Sequence, residues 1–290
     1  MNVLVTGAAG YIGSHTCRLL AQAGHRVVGY DNLSRGHQAA FDRATDDGQL
    51  VIGDLANSAL LEETLRRESI EAVIHFAAFG LVGESVQYPE RYHRNNVEGS
   101  QCLLEAMQQA NVLRLVVSST TAIYGTPKQI PISEETPPDP INPYGQSKWD
   151  VECLLQEARG RFGLGYAALR YFNAAGASLD GLLGEDHDPE THLIPIVLQV
   201  ALGQRERLSI FGSDYPTPDG TCVRDYIHIS DLADAHVKAL VWLLDGRGSN
   251  DWNLGTENGA SVREVLKAVE TGLGRPVPHE EGPRRPGVVA

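Results

Sequence analysis

The first half of the chain alternates short apolar runs with helical patterns, and this alternation constrains the fold more than any other feature. The apolar runs are short enough to be single buried strands and lie at residues 2–7, 25–31, 49–54, 71–78, 113–119 and 165–172. Helical patterns follow most of them, at residues 12–23, 57–69, 89–110 and 143–160. Apolar strands that alternate with helices are typical of a parallel sheet with crossover helices. We therefore expect an α/β fold built on a doubly wound, Rossmann-type parallel sheet.

The pattern changes after residue 175. Residues 176–192 are rich in Gly, Asp and His, and residues 212–220 have the composition of a loop. Helical segments separate these stretches, at residues 192–203, from Asp231 and from Ser261. We expect residues 1–175 to form the Rossmann domain and residues 176–290 to form a smaller ligand-binding lobe, interleaved with returns of the chain to the main sheet.

The charge and the spacing of particular residues argue against several kinds of partner and site. The formal net charge is −13 over 290 residues, which argues against a nucleic acid or an anionic membrane as partner. No stretch is long enough to span a membrane, and the N-terminus has no basic, apolar leader, so we expect a cytoplasmic protein. The four cysteines lie far apart, and His187 and His192 bracket acidic residues without a metal-ligand spacing. We therefore expect neither disulfides nor a metal site.

Three glycines stand between the first strand and the first helix, in VTGAAGYIGSH. Gly7, Gly10 and Gly13 would allow a tight turn and the close approach of a pyrophosphate to the helix N-terminus. Asp31 ends the second strand, where an acid would hold a ribose diol and repel a 2′-phosphate, so NAD is favoured over NADP. Asp54, which ends the third strand, is about equally suited to contact adenine or to cap a helix.

The segment NPYGQSK places Tyr144 and Lys148 one turn apart on a helix that begins at Pro143, after an Asn142 cap. Hydroxyl side chains at residues 118–121 follow the fifth strand, and ligands bind at the carboxyl ends of parallel strands. A hydroxyl, a phenol and an ammonium would therefore meet at one place. Lys148, together with a cationic nicotinamide ring, would lower the pKa of Tyr144, which could then take a proton from a substrate hydroxyl.

This combination of hydroxyl residues and a YxxxK motif after a GxxGxxG turn resembles the extended short-chain dehydrogenase/reductase family. A closer resemblance, to the UDP-glucose 4-epimerases, runs from residue 1 to residue 287. It is carried by the segments TGAAGYIGSH, YDNLSRG, SSTTAIYG, NPYGQSK, LRYFNAAGA, HLIP, YPTPDGT, VRDYIH and RRPG. Of these, YPTPDGT and VRDYIH are the most specific, because a generic member of the larger family would lack them.

The resemblance implies a role for each matching position. Tyr144 would be the catalytic base, Lys148 would tune its pKa, and Thr120 would bond the sugar oxygen. The positions that match cofactor contacts are Gly7, Gly10, Tyr11, Ile12, Gly13, Asp31, Asn32, Asp54, Leu55, Phe76, Ala77, Asn95, Ser118, Tyr144, Lys148 and Tyr171. The positions that match nucleotide-sugar contacts are Thr120, Asn173, His192, Leu193, Phe211, Arg224, Tyr226 and Arg285.

The resemblance also implies the reaction and the assembly. Bound NAD would oxidise a UDP-hexose at C4, the 4-keto sugar would turn over, and re-reduction would interconvert UDP-glucose and UDP-galactose. Arg224 and Arg285 would hold the diphosphate through guanidinium forks, although an ion pair with Asp225 is an alternative for Arg224. A homodimer would form through helices 89–110 and 143–160.

The chain departs from the epimerase pattern at two positions and in its length. Gly80 stands where many relatives have a lysine, and Val288 stands where an aspartate is common. The family usually continues for a few tens of residues past the position of Ala290. We therefore expect the second lobe to be incomplete at its C-terminus, with the residue that gates N-acetylated sugars lying beyond Ala290.

The sequence bears on alternative functions of two kinds, enzymatic and non-catalytic. A nucleotide-sugar 4,6-dehydratase would carry an Asp-Glu pair after Thr120, where this chain has Thr121 and Ala122, so it lacks the acid/base groups for that reaction. An epimerase for another UDP-sugar (an N-acetylhexosamine, glucuronate or a pentose) stays open. A non-catalytic NAD-binding protein on the same fold also stays open, because fold does not determine function.

Overall fold

A computed structural model describes residues 1–284. Its strands are β1 (Asn2–Thr6), β2 (Arg26–Asp31), β3 (Gln49–Ile52), β4 (Ala72–His75), β5 (Arg114–Thr120), β6 (Gly165–Tyr171), β7 (Asn173–Ala175), β8 (Leu208–Phe211), β9 (Val223–His228), β10 (Asn250–Leu254), β11 (Gly259–Ser261) and β12 (His279–Gly282). Its α-helices are α1 (Tyr11–Gln22), α2 (Gln38–Ala44), α3 (Ser58–Arg67), α4 (Val82–Gln87), α5 (Pro89–Tyr92), α6 (Gly99–Ala110), α7 (Pro143–Phe162), α8 (Leu193–Ala201), α9 (Ile229–Leu244) and α10 (Val262–Leu273).

The main sheet confirms the predicted parallel α/β architecture. Among the described residues it has seven strands in the order β10–β6–β5–β4–β1–β2–β3, and every neighbouring pair is parallel. The chain leaves β1 in one direction to build β2 and β3 and returns to its other side to build β4, β5 and β6. Such a reversal of strand order opens a crevice at the carboxyl ends of the strands, where ligands bind in this architecture.

The side chains of β1 show why helices cover both faces of the sheet. Val3 and Val5 point to one face and pack into a core shared with α1 and α9. Leu4, between them, points to the other face and packs into the core formed with α3, α6 and α7. Successive residues of a strand alternate between faces, so a strand apolar at every position is stable only with helices on both sides.

The second half of the chain builds smaller sheets and then returns to the main one. Strands β7, β9 and β11 form a three-stranded sheet, and β8 pairs with β12. Helices α8 and α10 pack on β8 through Val197, Ile210 and Leu266. Strand β10 then adds to the main sheet, with Trp252 opposite Leu169 of β6. The short strands β7, β8, β9, β11 and β12 were not predicted, because they lack an apolar run of strand length.

The predicted helix 89–110 is interrupted in the structure. One π-helical turn, His93–Glu98, lies between α5 and α6. Within this turn the Asn96 amide accepts from Phe79 N (2.8 Å) and donates to Phe79 O (3.0 Å) and to Ser147 Oγ (3.0 Å). The turn therefore anchors the segment after β4 to α7, and π turns of this kind are frequent at functional sites.

No helix within residues 1–284 combines the length and apolar character needed to cross a membrane.

Candidate active site

The glycine turn after β1 leaves no room for side chains. Gly7 has a φ of 70°, and a Cβ on it would lie 2.7 Å from Ala77 N. A Cβ on Gly13 would lie 2.0 Å from Gly7 O. Gly10 caps α1 without a side-chain hydrogen bond, so the first amides of the helix are covered by no capping side chain. A bare helix N-terminus beside a turn without side chains fits a dinucleotide pyrophosphate.

Asp31, at the end of β2, is held in place by backbone hydrogen bonds. Its carboxylate accepts hydrogen bonds from Ala9 N (3.0 Å) and Leu33 N (2.8 Å). Burial raises the pKa of this carboxyl, and the two backbone hydrogen bonds oppose that rise. The carboxylate is thus fixed beside the glycine turn, with lone pairs left for a diol.

The structure decides one alternative for Asp54. The side chain that caps α3 is Asn57, whose Oδ1 accepts from Leu60 N at 3.1 Å. Asp54 instead accepts from Ala56 N (3.0 Å) and from the Asn32 side-chain amide (2.8 Å). The helix-cap interpretation of Asp54 is therefore wrong, and its carboxylate lies on the wall of the cleft.

The three predicted catalytic side chains meet where β5 ends. Asn142 Oδ1 accepts from Gly145 N (2.9 Å), which starts α7 at Pro143 as predicted and sets Tyr144 in its first turn. The Tyr144 hydroxyl is hydrogen-bonded to the Thr120 hydroxyl. Lys148 is buried one turn later, and its Nζ donates to Ser118 O at 2.9 Å. A phenol, an alcohol and an ammonium are thus held together by one helix and one strand end.

The electrostatics of this group differ from the sequence-based expectation. Burial raises the pKa of Tyr144, and the hydrogen bond with Thr120 only partly opposes the rise. Burial also lowers the pKa of Lys148 to about 8, against the field of Glu152 one turn further along α7. The Lys148 ammonium donates to the Ser118 carbonyl and does not offset the rise in the pKa of Tyr144, whereas the predicted lowering also included a cationic nicotinamide ring.

A buried ionic network supports the strand and the helix from behind. Glu152 accepts from Ser119 Oγ (2.5 Å) and from Arg170 Nη2 (2.5 Å). Arg170 in turn pairs with Asp251 of β10 (3.0 Å) and donates to the Tyr124 hydroxyl (2.9 Å). The network connects α7, β5, β6 and β10, so it ties α7 to three strands of the main sheet.

One cleft of about 1170 Å³ runs along the carboxyl ends of the strands. Every predicted site residue among residues 1–284 lies on its wall: Gly7, Gly10, Tyr11, Ile12, Gly13, Asp31, Asn32, Asp54, Leu55, Phe76, Ala77, Asn95, Ser118, Thr120, Tyr144, Lys148, Tyr171, Asn173, His192, Leu193, Phe211, Arg224 and Tyr226. Arg285 lies outside the described residues. The predicted cofactor and nucleotide-sugar positions, far apart in the sequence, are therefore brought to one cavity.

The predicted nucleotide-sugar positions follow the edges of the second-half sheets. Asn173 Nδ2 donates to Asp225 O (3.1 Å), and Arg224 Nη1 donates to Val223 O (2.7 Å). His192 Nδ1 lies 2.5 Å from Glu185 Oε1 at the start of α8. These contacts orient polar side chains along the wall of the cleft.

The sequence analysis missed three cleft arginines. Arg35 lies on the cleft wall with Asp31 and pairs with Glu84 (3.2 Å), and Arg205 and Arg207 lie on the cleft wall just before β8. The segment NLSRG was a usable signal for Arg35, since it directly follows Asp31 at the end of β2. No local signal identified Arg207, because β8 itself was not predicted.

Comparison with known proteins places the chain in a family. The profile of the NAD dependent epimerase/dehydratase family matches residues 3–255. A UDP-glucose 4-epimerase of Halalkalibacterium halodurans is 50% identical over 287 residues, which are 99% of this chain and 85% of the relative.

Solved structures agree with this placement. The Brucella ovis UDP-glucose 4-epimerase in complex with NAD superposes with a TM-score of 0.95 at 49% identity, covering 99% of this chain and 87% of the other. The Bifidobacterium longum enzyme in complex with NAD+ and UDP gives 0.94 at 42% identity, covering 100% and 88%. This chain therefore belongs to the NAD-dependent epimerase/dehydratase family and, within it, to the UDP-glucose 4-epimerases.

Proposed function

We propose that the protein interconverts UDP-glucose and UDP-galactose by oxidation of the hexose at C4, rotation of the 4-keto sugar and re-reduction on its other face. The observation that carries this proposal is the meeting of Thr120, Tyr144 and Lys148 on the wall of the cleft that also holds the glycine turn. NAD, when bound, supplies a two-electron acceptor that takes the hydride from C4 and returns it.

Backbone and side-chain groups at one end of the cleft would hold NAD. The turn at Gly7 and the N-terminus of α1 would receive the pyrophosphate, and the fixed Asp31 carboxylate would receive the adenosine ribose. A carboxylate there disfavours a 2′-phosphate, which supports NAD over NADP. The Tyr171 and Ser118 hydroxyls, hydrogen-bonded to each other, would line the nicotinamide end.

Tyr144 would take and return the proton of the sugar O4. The Thr120 hydroxyl holds the phenol oxygen in place and can bond the same sugar oxygen. Burial keeps the phenol protonated, so proton acceptance needs added positive charge. A cationic nicotinamide ring, when bound, would add that charge to the charge of Lys148.

The other end of the cleft would hold the nucleotide half of a UDP-hexose. Asn173, His192, Leu193, Phe211, Arg224 and Tyr226, with Arg285, are the proposed contacts. Holding uridine and diphosphate firmly while leaving the hexose few partners would let the 4-keto sugar rotate. The B. longum relative, whose structure contains UDP, supports this substrate class.

The division into domains, the location and the assembly belong to the same proposal. We assign residues 1–175 to the NAD-binding domain and residues 176–290 to the nucleotide-sugar lobe. We place the protein in the cytoplasm as a homodimer that pairs through the helical segments 89–110 and 143–160.

Conversion of UDP-galactose, followed by NMR at its anomeric proton with and without added NAD+, tests the activity. We expect UDP-glucose to appear, and the Tyr144→Phe variant to lose roughly 10²–10⁴-fold in turnover, the usual contribution of a positioned acid–base group. Tyr88→Phe is the matched control, because that phenol is exposed and lies outside the cleft.

The outcomes separate the alternatives. Near-full turnover by Tyr144→Phe would refute the role of Tyr144. Turnover of UDP-N-acetylgalactosamine, UDP-glucuronate or a UDP-pentose, with none of UDP-galactose, would show an epimerase for that sugar instead. Bound NAD without turnover of any of them would favour the non-catalytic protein.

A further inference from the structure

A cluster of four potential metal ligands forms where the loop after β7 enters α8. The ligand atoms of Glu185, His187, Glu190 and His192 all lie within 4.8 Å of one another. His187 Nδ1 is 3.3 Å from Glu185 Oε1 and 3.8 Å from Glu190 Oε2. His192 Nδ1 is 2.5 Å from Glu185 Oε1 and 3.5 Å from Glu190 Oε1.

These separations suit a tetrahedral ion. With metal–ligand bonds of about 2.0–2.2 Å, neighbouring ligand atoms of tetrahedral Zn²⁺ lie roughly 3.3 Å apart. With Glu190 Oε2 as its ligand atom, His187 Nδ1 lies 3.3 Å and 3.8 Å from the two carboxylate oxygens, close to that value. The 2.5 Å separation of His192 Nδ1 from Glu185 Oε1 is a direct imidazole–carboxylate contact that an ion would open, with release of the shared proton.

The carboxylates are buried and partly oriented by the backbone. The side chains of Glu185 and Glu190 are 9% and 4% exposed. Glu190 Oε1 accepts from Thr191 N (2.7 Å) and His192 N (2.8 Å), which leaves Oε2 facing His187. Burying two carboxylates so close together costs free energy unless a positive charge compensates them.

The His187 ring supplies the second indication of a ligand. Its Nδ1 is buried and makes no hydrogen bond, although it faces both carboxylates. The ring packs edge-on against Tyr11 and against His192, so its orientation is constrained. A buried ring nitrogen that faces two carboxylates without bonding either is oriented as a metal ligand would be.

We propose that Glu185, His187, Glu190 and His192 bind one divalent transition-metal ion of the Zn²⁺ class. Two carboxylates and two neutral imidazoles balance a 2+ charge, and an N₂O₂ set with imidazoles selects Zn²⁺ or Co²⁺ over Mg²⁺ or Ca²⁺. The ion would fasten the loop 176–192 to the first turn of α8, on the wall of the cleft. The sequence predicts no metal site, because these residues lack a metal-ligand spacing. The proposed site depends instead on the folded loop, which brings the four side chains together.

Titration of the chelator-treated full-length chain with Co²⁺ tests the proposal by absorption spectroscopy. We expect one Co²⁺ per chain, the intense visible bands of tetrahedral coordination, and their loss when Zn²⁺ is added. His187→Ala should abolish the bands. His93→Ala is the matched control and should bind as the wild type does, because that exposed ring lies outside the cluster.

Circular dichroism of each variant checks folding. If His187→Ala is unfolded, Glu185→Gln, which preserves the side-chain shape, replaces it, and X-ray absorption of the Zn²⁺-loaded wild type reports the number of imidazole ligands. Two imidazoles would support the proposal. Absence of stoichiometric Co²⁺ binding, octahedral bands, or unchanged binding by a folded cluster variant would overturn it.

Discussion

The side chain of Lys148 shows how burial sets the chemistry of a single residue. It is 6% exposed, donates to the Ser118 carbonyl, and has a pKa lowered to about 8. The pKa of lysine in an unfolded chain is about 10.4. Between these two pH values the unfolded state therefore binds more protons than the folded state.

We expect the free energy of unfolding of the wild type to rise with pH relative to that of Lys148→Met. The rise begins near pH 8, where the folded state loses the proton, and amounts to roughly 2 kcal/mol by about pH 9.5. Below that range both states are protonated, and the full cost of burying the charge remains. Urea denaturation of both proteins at neutral pH and near pH 9.5 measures the difference; parallel pH dependences would contradict the burial argument.

Glu152 is the residue on which the buried network depends. Removing its charge leaves the Arg170 guanidinium, 5% exposed, with Asp251 as its remaining carboxylate in the network. We expect Glu152→Gln to lower the free energy of unfolding by about 3 kcal/mol, as for other broken buried pairs. Chemical denaturation measures this loss in free energy of unfolding. Glu157→Gln, at an exposed acid on the same helix, is the control. A loss no larger than that of the control would show that the network contributes little.

At the scale of elements, the cap of α7 connects helix stability to catalysis. Asn142 accepts from Gly145 N, and Tyr144 lies in the turn that this bond closes. Asn57 makes the equivalent bond at the start of α3, outside the cleft. The two caps therefore form a matched pair of sites.

We expect Asn142→Ala and Asn57→Ala each to lower the free energy of unfolding by about 1 kcal/mol, the usual contribution of a cap. Only Asn142→Ala should also lower turnover, because fraying of the first turn of α7 displaces the Tyr144 hydroxyl. Urea denaturation and the UDP-galactose assay measure the two effects. Equal turnover in the two variants would show that the Asn142 cap does not affect catalysis.

At the scale of the whole molecule, the proposed homodimer makes α7 an interface as well as a catalytic helix. Cys153 of α7 is half-buried within the chain and lies on the segment proposed to pair. We expect sedimentation velocity to give twice the chain mass of 31.4 kDa for the wild type. Cys153→Arg should shift the protein to the monomer, since it would bury a charge without a partner.

Thr271→Arg is the control, because it adds the same charge to an exposed position on α10, away from both segments. A wild type that sediments as a monomer would refute the proposed assembly. A dimer that persists in Cys153→Arg would show that the interface does not include this part of α7.

The sequence alone determined the features that depend on near neighbours. The turn at Gly7 to Gly13 requires residues without side chains, and the start of α7 at Pro143 follows from its Asn142 cap; the structure has both. The parallel sheet also followed from local patterns, because strands apolar on both faces need helices on both sides.

Only the tertiary structure decided the properties that depend on groups far apart in the chain. The return of β10 to β6 and the short strands β7 to β9 rest on pairing partners that no local pattern specifies. The raised pKa of Tyr144 depends on burial under the completed fold. The cluster from Glu185 to His192 forms by the folding back of a loop. Steric limits and hydrogen bonds between near neighbours follow from adjacent residues in the sequence. Desolvation of a side chain, and contact between side chains far apart in the sequence, arise only after the chain has packed.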